Sequence, residues 1–255
     1  MVMAKRRQKN IPTVDIVFPV YARNAPQIVT AVTTLSRYCE HHLAGRYHWR
    51  IVLGINGFHP EAIITEYNKL KIKYRGQLAF TYTQTVGKGA GLKFAWEQST
   101  ADILSYMDVD LATGLNSFLP LLEGTTTHDC CVGNRYHTSS VVSRGFSRRW
   151  ASMGYHLIIQ RLLLKSRQPD LHCGFKAFRG EVLRTVLPHI QDPGWFFDTE
   201  LMFTLAQSGY SIKSIPIHWE QGTVSGLSLR RVIPAFILKS LELRMRVLPQ
   251  EIRKM

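Results

Sequence analysis

Two aspartates stand one residue apart in Tyr106-Met107-Asp108-Val109-Asp110, directly behind the apolar run Ile103 to Met107. Close carboxylates repel, and a divalent cation held between them and a diphosphate removes that cost. Magnesium or manganese suits such a pair, because either takes a few carboxylate oxygens and completes its shell with phosphate and water. The competing reading makes Asp110 the cap of the following turn and leaves Asp108 in solvent. A second feature is Gly87-Lys88-Gly89, just before a helical pattern. Glycines allow close backbone approach, and a helix N-terminus with a lysine favours a phosphate; a plain turn carrying a surface lysine is the alternative. A third is Asp170-Leu171-His172-Cys173-Gly174-Phe175-Lys176 together with Trp195-Phe196-Phe197-Asp198-Thr199-Glu200-Leu201. Acids among aromatics suit a sugar site, with apolar walls and a few orienting groups. Alternatively Phe175, Phe178, Trp195 and Phe197 are core.

The elements that must position these residues follow from periodicity. Val14 to Val20 is a short β-branched run, expected as a buried strand. After Asn24, a candidate N-cap, Ile28, Val32, Leu35 and Cys39 recur at helical spacing. Strands are expected at Ile51 to Ile55, Leu78 to Thr83 and Ile103 to Met107. Helices are expected after His59-Pro60, with Ile63, Tyr67 and Leu70 on one face, and over Lys88 to Gln98. Alternation of strand and helix predicts a mostly parallel sheet flanked by helices, with ligands beyond the carboxyl ends of its strands. Asp108 falls at such an end. Further on, Cys130 to Gly133 reads as a strand, Arg144 to Lys165 and Asp198 to Ser208 as helices, and Tyr210 to Trp219 as one strand with Ile215, Ile217 and Trp219 alternating.

Composition bounds the partners. The 255 residues carry 32 Lys and Arg against 18 Asp and Glu, a formal charge of +14 that favours polyanions: nucleic acid, anionic lipid or phosphorylated substrate. No nucleic-acid-binding motif accompanies that charge, so no nucleic-acid partner is expected. Cys39, Cys130, Cys131 and Cys173 show neither zinc spacing nor a disulfide framework, which points to a reduced, cytoplasmic setting. The basic stretch Met1 to Asn10 precedes no long apolar segment, and no apolar run reaches the roughly 18 residues of a membrane span. Arg144 to Arg167 and Leu229 to Met255 interleave basic and apolar residues, as helices lying in an anionic membrane interface do; core-packing helices with solvated basic faces remain the alternative.

Taken in order, V-D-I-V-F-P-V-Y, G-K-G, Y-M-D-V-D-L-A-T, V-G-N-R-Y, D-L-H-C-G-F-K-A-F-R and W-F-F-D-T-E-L resemble glycosyltransferase family 2 over Val14 to Ser228. Within it the likeness is to the dolichyl-phosphate glucosyl- and mannosyltransferases. The resemblance implies a GT-A-like fold, Rossmann-like with a mostly parallel sheet, spanning 1–228; the interleaved basic and apolar residues of 229–255 make that stretch a separate basic amphipathic helical segment. It implies an inverting, metal-dependent hexosyltransferase using Mg2+ or Mn2+, a nucleotide sugar (UDP-glucose first, GDP-mannose second) and a polyprenyl or dolichyl phosphate acceptor. By the same likeness Pro19, Val20 and Tyr21 lie along the nucleotide. Lys88 and Arg135 lie near phosphate, Asp108 and Asp110 hold the metal and diphosphate, and Asp170, Asp198 and Glu200 form the catalytic set at the sugar and acceptor.

Three segments depart from the family pattern. Ala22-Arg23 replaces an acidic residue after the first tyrosine, Ile55-Asn56-Gly57-Phe58 replaces D-D-G-S, and Gly226-Leu227-Ser228-Leu229 lacks a late lysine that Arg230 or Arg231 could replace. Placement is expected to be peripheral, at the cytoplasmic face of a membrane or on a separate membrane protein. The rival expectations are a family 2 enzyme with a soluble or polysaccharide acceptor, a catalytically silent homologue motivated by the altered nucleotide segments, and a nucleic-acid binder.

Overall fold

Strand β1 (Thr13–Val20) is buried along its whole length except Thr13, and it needs a partner for the one charge it carries. Asp15 lies opposite Arg50 in the parallel register with β2 (His48–Asn56) and receives a forked hydrogen bond from that guanidinium at 2.9 and 2.6 Å. A carboxylate so paired can enter a sheet that would otherwise reject it. The structure, a computed structural model, describes residues 11–143, 156–166, 170–220, 229–246 and 249–254. Residues 144–155 of the expected basic helix, Gly226 to Ser228 and the N-terminal stretch 1–10 lie outside them, as do the side chains of Arg230 and Arg231.

Helix α1 (Ala25–His42) buries Ile28, Val32, Leu35 and Cys39, the face its spacing predicts. Each buried aliphatic contributes about 1.5–3 kcal/mol. Asn24 does sit at the helix boundary, but its carboxamide turns back to accept the Tyr21 N–H at 3.2 Å instead of capping forward. Helix α2 (Glu61–Leu70), strand β3 (Leu78–Thr83), helix α3 (Lys88–Glu97) and strand β4 (Ile103–Met107) complete the expected alternation. Strands β1 to β4 pair in parallel, in the order β3-β2-β1-β4.

The second half departs from expectation in three places. Helix α4 (Phe118–Gly124) leads to β5 (Cys130–Asn134) and β6 (Val141–Ser143), but β5 does not lie beside β4. Between them runs β7 (Phe175–Arg179), antiparallel to both, so part of the C-G-F-K segment is a central strand with Phe175 and Phe178 in the core. Its pattern is hard to read because Lys176 interrupts a short apolar run. The expected single strand Tyr210 to Trp219 divides into β8 (Ile212–Pro216), which pairs with β5, and β9 (His218–Glu220), which pairs with β6 in a separate two-stranded sheet. The break falls at Ile217, whose N–H is taken by the Ser140 hydroxyl at 2.9 Å. His156–Leu163, within the expected helix, is π-helical rather than α-helical.

Helices α5 (Gly180–Val186), α6 (Phe197–Gln207) and α7 (Leu229–Met245) close the structure. Phe236 and Leu243 of α7 join the main core, and the α7 side chain Arg244 donates to the Leu163 carbonyl of the π-helix. All four cysteines are free and buried. Among the described residues no helix is long and apolar enough to cross a membrane.

Candidate active site

The chain leaves β4 through a tight turn: the Leu111 N–H reaches the Asp108 carbonyl at 3.0 Å, and Leu111 adopts a left-handed φ of 50°. Such a conformation is uncommon for leucine and clusters at functional turns. Val109 points into the core, so Asp108 and Asp110 both face outward from the end of the sheet. The Asp110 carboxylate accepts the Ala112 N–H at 3.1 Å, and it therefore does cap the turn. That leaves its charge available. The surrounding protein, and then the Asp108 charge, raise the Asp110 carboxyl above the usual carboxylate range.

Asp108 is not simply solvated. Lys88 Nζ lies 3.0 Å from it and 3.2 Å from Asp198, and the lysine is buried. Burial alone would lower the Lys88 pKa; Asp108 and Asp198 overcome it and hold the ammonium above its ordinary value. Asp108 also rests on Gly174, where a Cβ would come within 2.1 Å of its carboxylate. Only glycine leaves that cradle open. Two outward carboxylates, one raised by the other, fit a divalent cation that fills its remaining positions with phosphate and water. No cluster of three or more acidic, histidine or cysteine ligands occurs among the described residues, so the donor's diphosphate would have to complete such a centre.

The Gly87-Lys88-Gly89 turn works differently from its expected role. Gly87 has a φ of 143°, and a Cβ there would sit 2.0 Å from the Pro193 carbonyl oxygen. The N–H groups of Ala90 and Gly89, which would face a phosphate at a free helix end, are taken by the carbonyls of Pro193 and Gly194 at 2.8 and 3.3 Å. The lysine is likewise not a surface residue. What the turn offers the site is the Lys88 ammonium, not those two amides.

Behind Lys88 lies a buried polar spine absent from the sequence expectations. Lys176, fully buried in β7, donates to Asp198 Oδ1 at 2.7 Å, to the Tyr106 hydroxyl at 3.0 Å and to the Cys173 carbonyl. The Tyr106 hydroxyl donates to Asp198 in turn. Burial would raise the Asp198 carboxyl, but Lys176, Lys88 and His172 together hold it well below the usual range. Tyr106 and Lys176 carried a signal, a lysine and a tyrosine inside buried strands flanking the acidic turn. Polar side chains in a core demand partners.

The other expected site residues separate. Arg135 and Asp170 meet, but as a closed buried pair: the guanidinium forks onto the carboxylate at 2.8 and 2.8 Å. Burial opposes both charges, and each partner overrides it, lifting Arg135 and lowering Asp170. Glu200 is two residues beyond Asp198 on α6, about 200° around the helix, and does not join it. It accepts the Gln191 and Asp192 N–H groups at 3.0 and 2.7 Å and pairs with Arg246. Phe197 is core, whereas Trp195 is half-buried and faces the cleft.

That cleft, about 400 Å³, opens beside Lys88 at the carboxyl ends of β1 and β2, with Tyr21, Arg23, Phe58, Val86 and Trp195 among its walls. Pro19 and Val20 are buried behind it in β1. Asn56, at the position of a family carboxylate, spends its amide on the frame: Nδ2 donates to the Val20 carbonyl and Oδ1 accepts the Gly87 N–H, both at 3.0 Å. Arg23 lies over the Tyr21 ring at 4.1 Å, forming a flat cationic wall.

Comparison with known proteins agrees with this architecture. Residues 15–187 match the model of glycosyl transferase family 2. The chain is 33% identical over 137 residues to glycosyltransferase AglD of Haloferax volcanii, covering 53% of this chain and 22% of that one. It is 22% identical over 236 residues to the dolichyl-phosphate beta-glucosyltransferase of Saccharomyces cerevisiae, covering 84% and 69%. The first of these relatives thus extends far beyond the shared segment. Among solved structures, glucosyl-3-phosphoglycerate synthase of Mycobacterium tuberculosis, in complex with Mn2+ and UDP, superposes with a TM-score of 0.61 at 13% identity over 91% of this chain and 80% of that one. The fold is GT-A-like, and the chain belongs to glycosyl transferase family 2.

Proposed function

We propose that the protein transfers a hexose, glucose from UDP-glucose before mannose from GDP-mannose, to a polyprenyl monophosphate with inversion. The observation that carries this is the outward Asp108–Asp110 turn, joined through Asp108 to Lys88, which lines the cleft. Asp108 and Asp110 would hold Mg2+ or Mn2+, which when bound supplies charge neutralisation at the donor diphosphate. An acceptor phosphate monoester with a second pKa of about 6 is mostly dianionic at neutral pH and is its own nucleophile. Its oxygen bonds to the anomeric carbon while the bond from that carbon to the diphosphate oxygen breaks, and the electron pair leaves on the nucleoside diphosphate.

Lys88 stabilises that departing charge. Asp198 anchors Lys88; a carboxylate held this far below its ordinary range is a weak proton acceptor, so its role is orientation rather than base catalysis. Asp170 fixes Arg135, and Glu200 fixes the 190s segment. Tyr21 and Arg23 take the nucleotide at the cleft wall, where stacking and cationic contact stand in for the missing carboxylates.

The yeast relative's name supports a lipid-phosphate acceptor and a glucosyl donor. The surface of the π-helix and α7 supports the lipid acceptor; on this reading 229–255 adds a membrane-facing segment to a unit over 1–228 and packs onto its core through Phe236 and Leu243. Ile158 and Leu162 of the π-helix and Leu238, Leu241 and Met245 of α7 are exposed, as are Arg161 and Arg244 on the same two helices. Exposed apolar side chains with arginine on the same helices suit an anionic bilayer and a peripheral site at its cytoplasmic face. The deciding assay supplies labelled UDP-glucose or GDP-mannose with Mn2+ and polyprenyl phosphate in anionic vesicles. Label is expected in the lipid phase from one donor, and the protein should float with the vesicles at low salt. Transfer only to a soluble acceptor would overturn the acceptor assignment; failure to float would overturn the membrane assignment.

A further inference from the structure

The segment Ile190–Phe196 lies between helix α7 and the Gly87-Lys88-Gly89 turn, and both sides grip it. On the α7 side Lys239 pairs with Asp192, Arg246 pairs with Glu200, and Phe236 packs edge-on to Phe196 with ring centroids 5.2 Å apart. Glu200 passes that hold to the segment by accepting the Gln191 and Asp192 N–H groups, and Asp192 in turn accepts the Gly194 N–H at 2.8 Å. On the other side the Pro193 and Gly194 carbonyls accept the Ala90 and Gly89 N–H groups, and Lys93 donates to the Ile190 carbonyl at 2.9 Å. Trp195, between the two grips, forms a wall of the cleft, with Lys88 Nζ 5.8 Å from its ring centroid.

Two carboxylates that are themselves almost fully buried reach partly exposed cations, Lys239 on α7 and Arg246 one residue past its end. Such a link has little freedom to adjust if one end is lost. We propose that Lys239 and Arg246 are positioning residues of the donor site: they seat the Ile190–Phe196 strap, and through it set the Gly87-Lys88-Gly89 turn and the Trp195 wall. Helix α7 therefore acts on donor binding without touching the donor. This rests on the cleft being the donor site, so its test needs a readout that does not.

Hydrogen exchange at the Gly89 and Ala90 amides supplies that readout, because their acceptors belong to the strap. In a Lys239→Met/Arg246→Met variant these amides should exchange faster, while amides of the α1 core face keep their wild-type protection. With Mn2+ and UDP or GDP as probes, the Kd of whichever nucleotide binds should weaken about three- to tenfold. The conservative pair Lys239→Arg/Arg246→Lys should restore both, and Lys69→Met, which removes the exposed pair with Glu66, should change neither. Wild-type exchange at Gly89 and Ala90 in the double methionine variant would overturn the proposal, as would a uniform loss of protection across the core. If wild type binds neither nucleotide, the donor-site reading fails, and the exchange result alone decides the strap.

Discussion

Asp110→Ala should lower hexose transfer by at least about 100-fold with little change in thermal stability. The carboxylate is exposed at the rim of the site, and among the described residues it accepts the Ala112 N–H. Losing that bond costs about 1 kcal/mol. Its larger contribution is charge beside Asp108, where a cation and a diphosphate must be held together. Asp110→Asn separates the two roles, since the amide oxygen can still accept from Ala112 but carries no charge. Asparagine should therefore behave like alanine in transfer and like wild type in melting. An asparagine variant with full activity would reduce Asp110 to a turn cap.

The second large effect is on the fold. Lys176→Met leaves Asp198 buried and facing the Tyr106 hydroxyl and Lys88 with its closest cation gone. Breaking a buried pair by removing one partner costs about 3–5 kcal/mol, which for a chain of this size lowers the melting temperature by on the order of 10 °C. Lys176→Met/Asp198→Leu should recover much of that stability, because no charge is then left without its partner. It should not recover transfer, because Lys88 has lost the anchor that aims it. Calorimetry of the single and double variants, beside the transfer assay, checks both halves. A single variant as stable as wild type would show that the spine is not a structural unit.

Most of the positioning framework was legible in the chain. Four strands and three helices up to Met107 follow from short apolar runs, which β1 and β4 bury on both faces, and from 3.6-residue spacing in helices such as α1. The acidic turn was legible too, because it directly follows one of those strands. What escaped was contact made across long separations. Tyr106 meets Lys176 and Asp198, and Gly89 and Ala90 meet Gly194 and Pro193, only because β7 inserts antiparallel between β4 and β5 and α6 packs behind it. Spacing along the chain carries no trace of such meetings. Helical phase, by contrast, could have separated Asp198 from Glu200 at the outset, since residues two apart on a helix point to opposite sides.

The central claim is that Asp108 and Asp110 hold the donor's diphosphate through a divalent cation, and Mn2+ paramagnetic resonance tests it directly. Titrating Mn2+ into the protein with UDP or GDP present should give a bound ion whose affinity depends on the nucleotide and collapses in Asp108→Asn and Asp110→Asn. Nucleotide binding of equal strength in EDTA, or a bound ion indifferent to both substitutions, would contradict it.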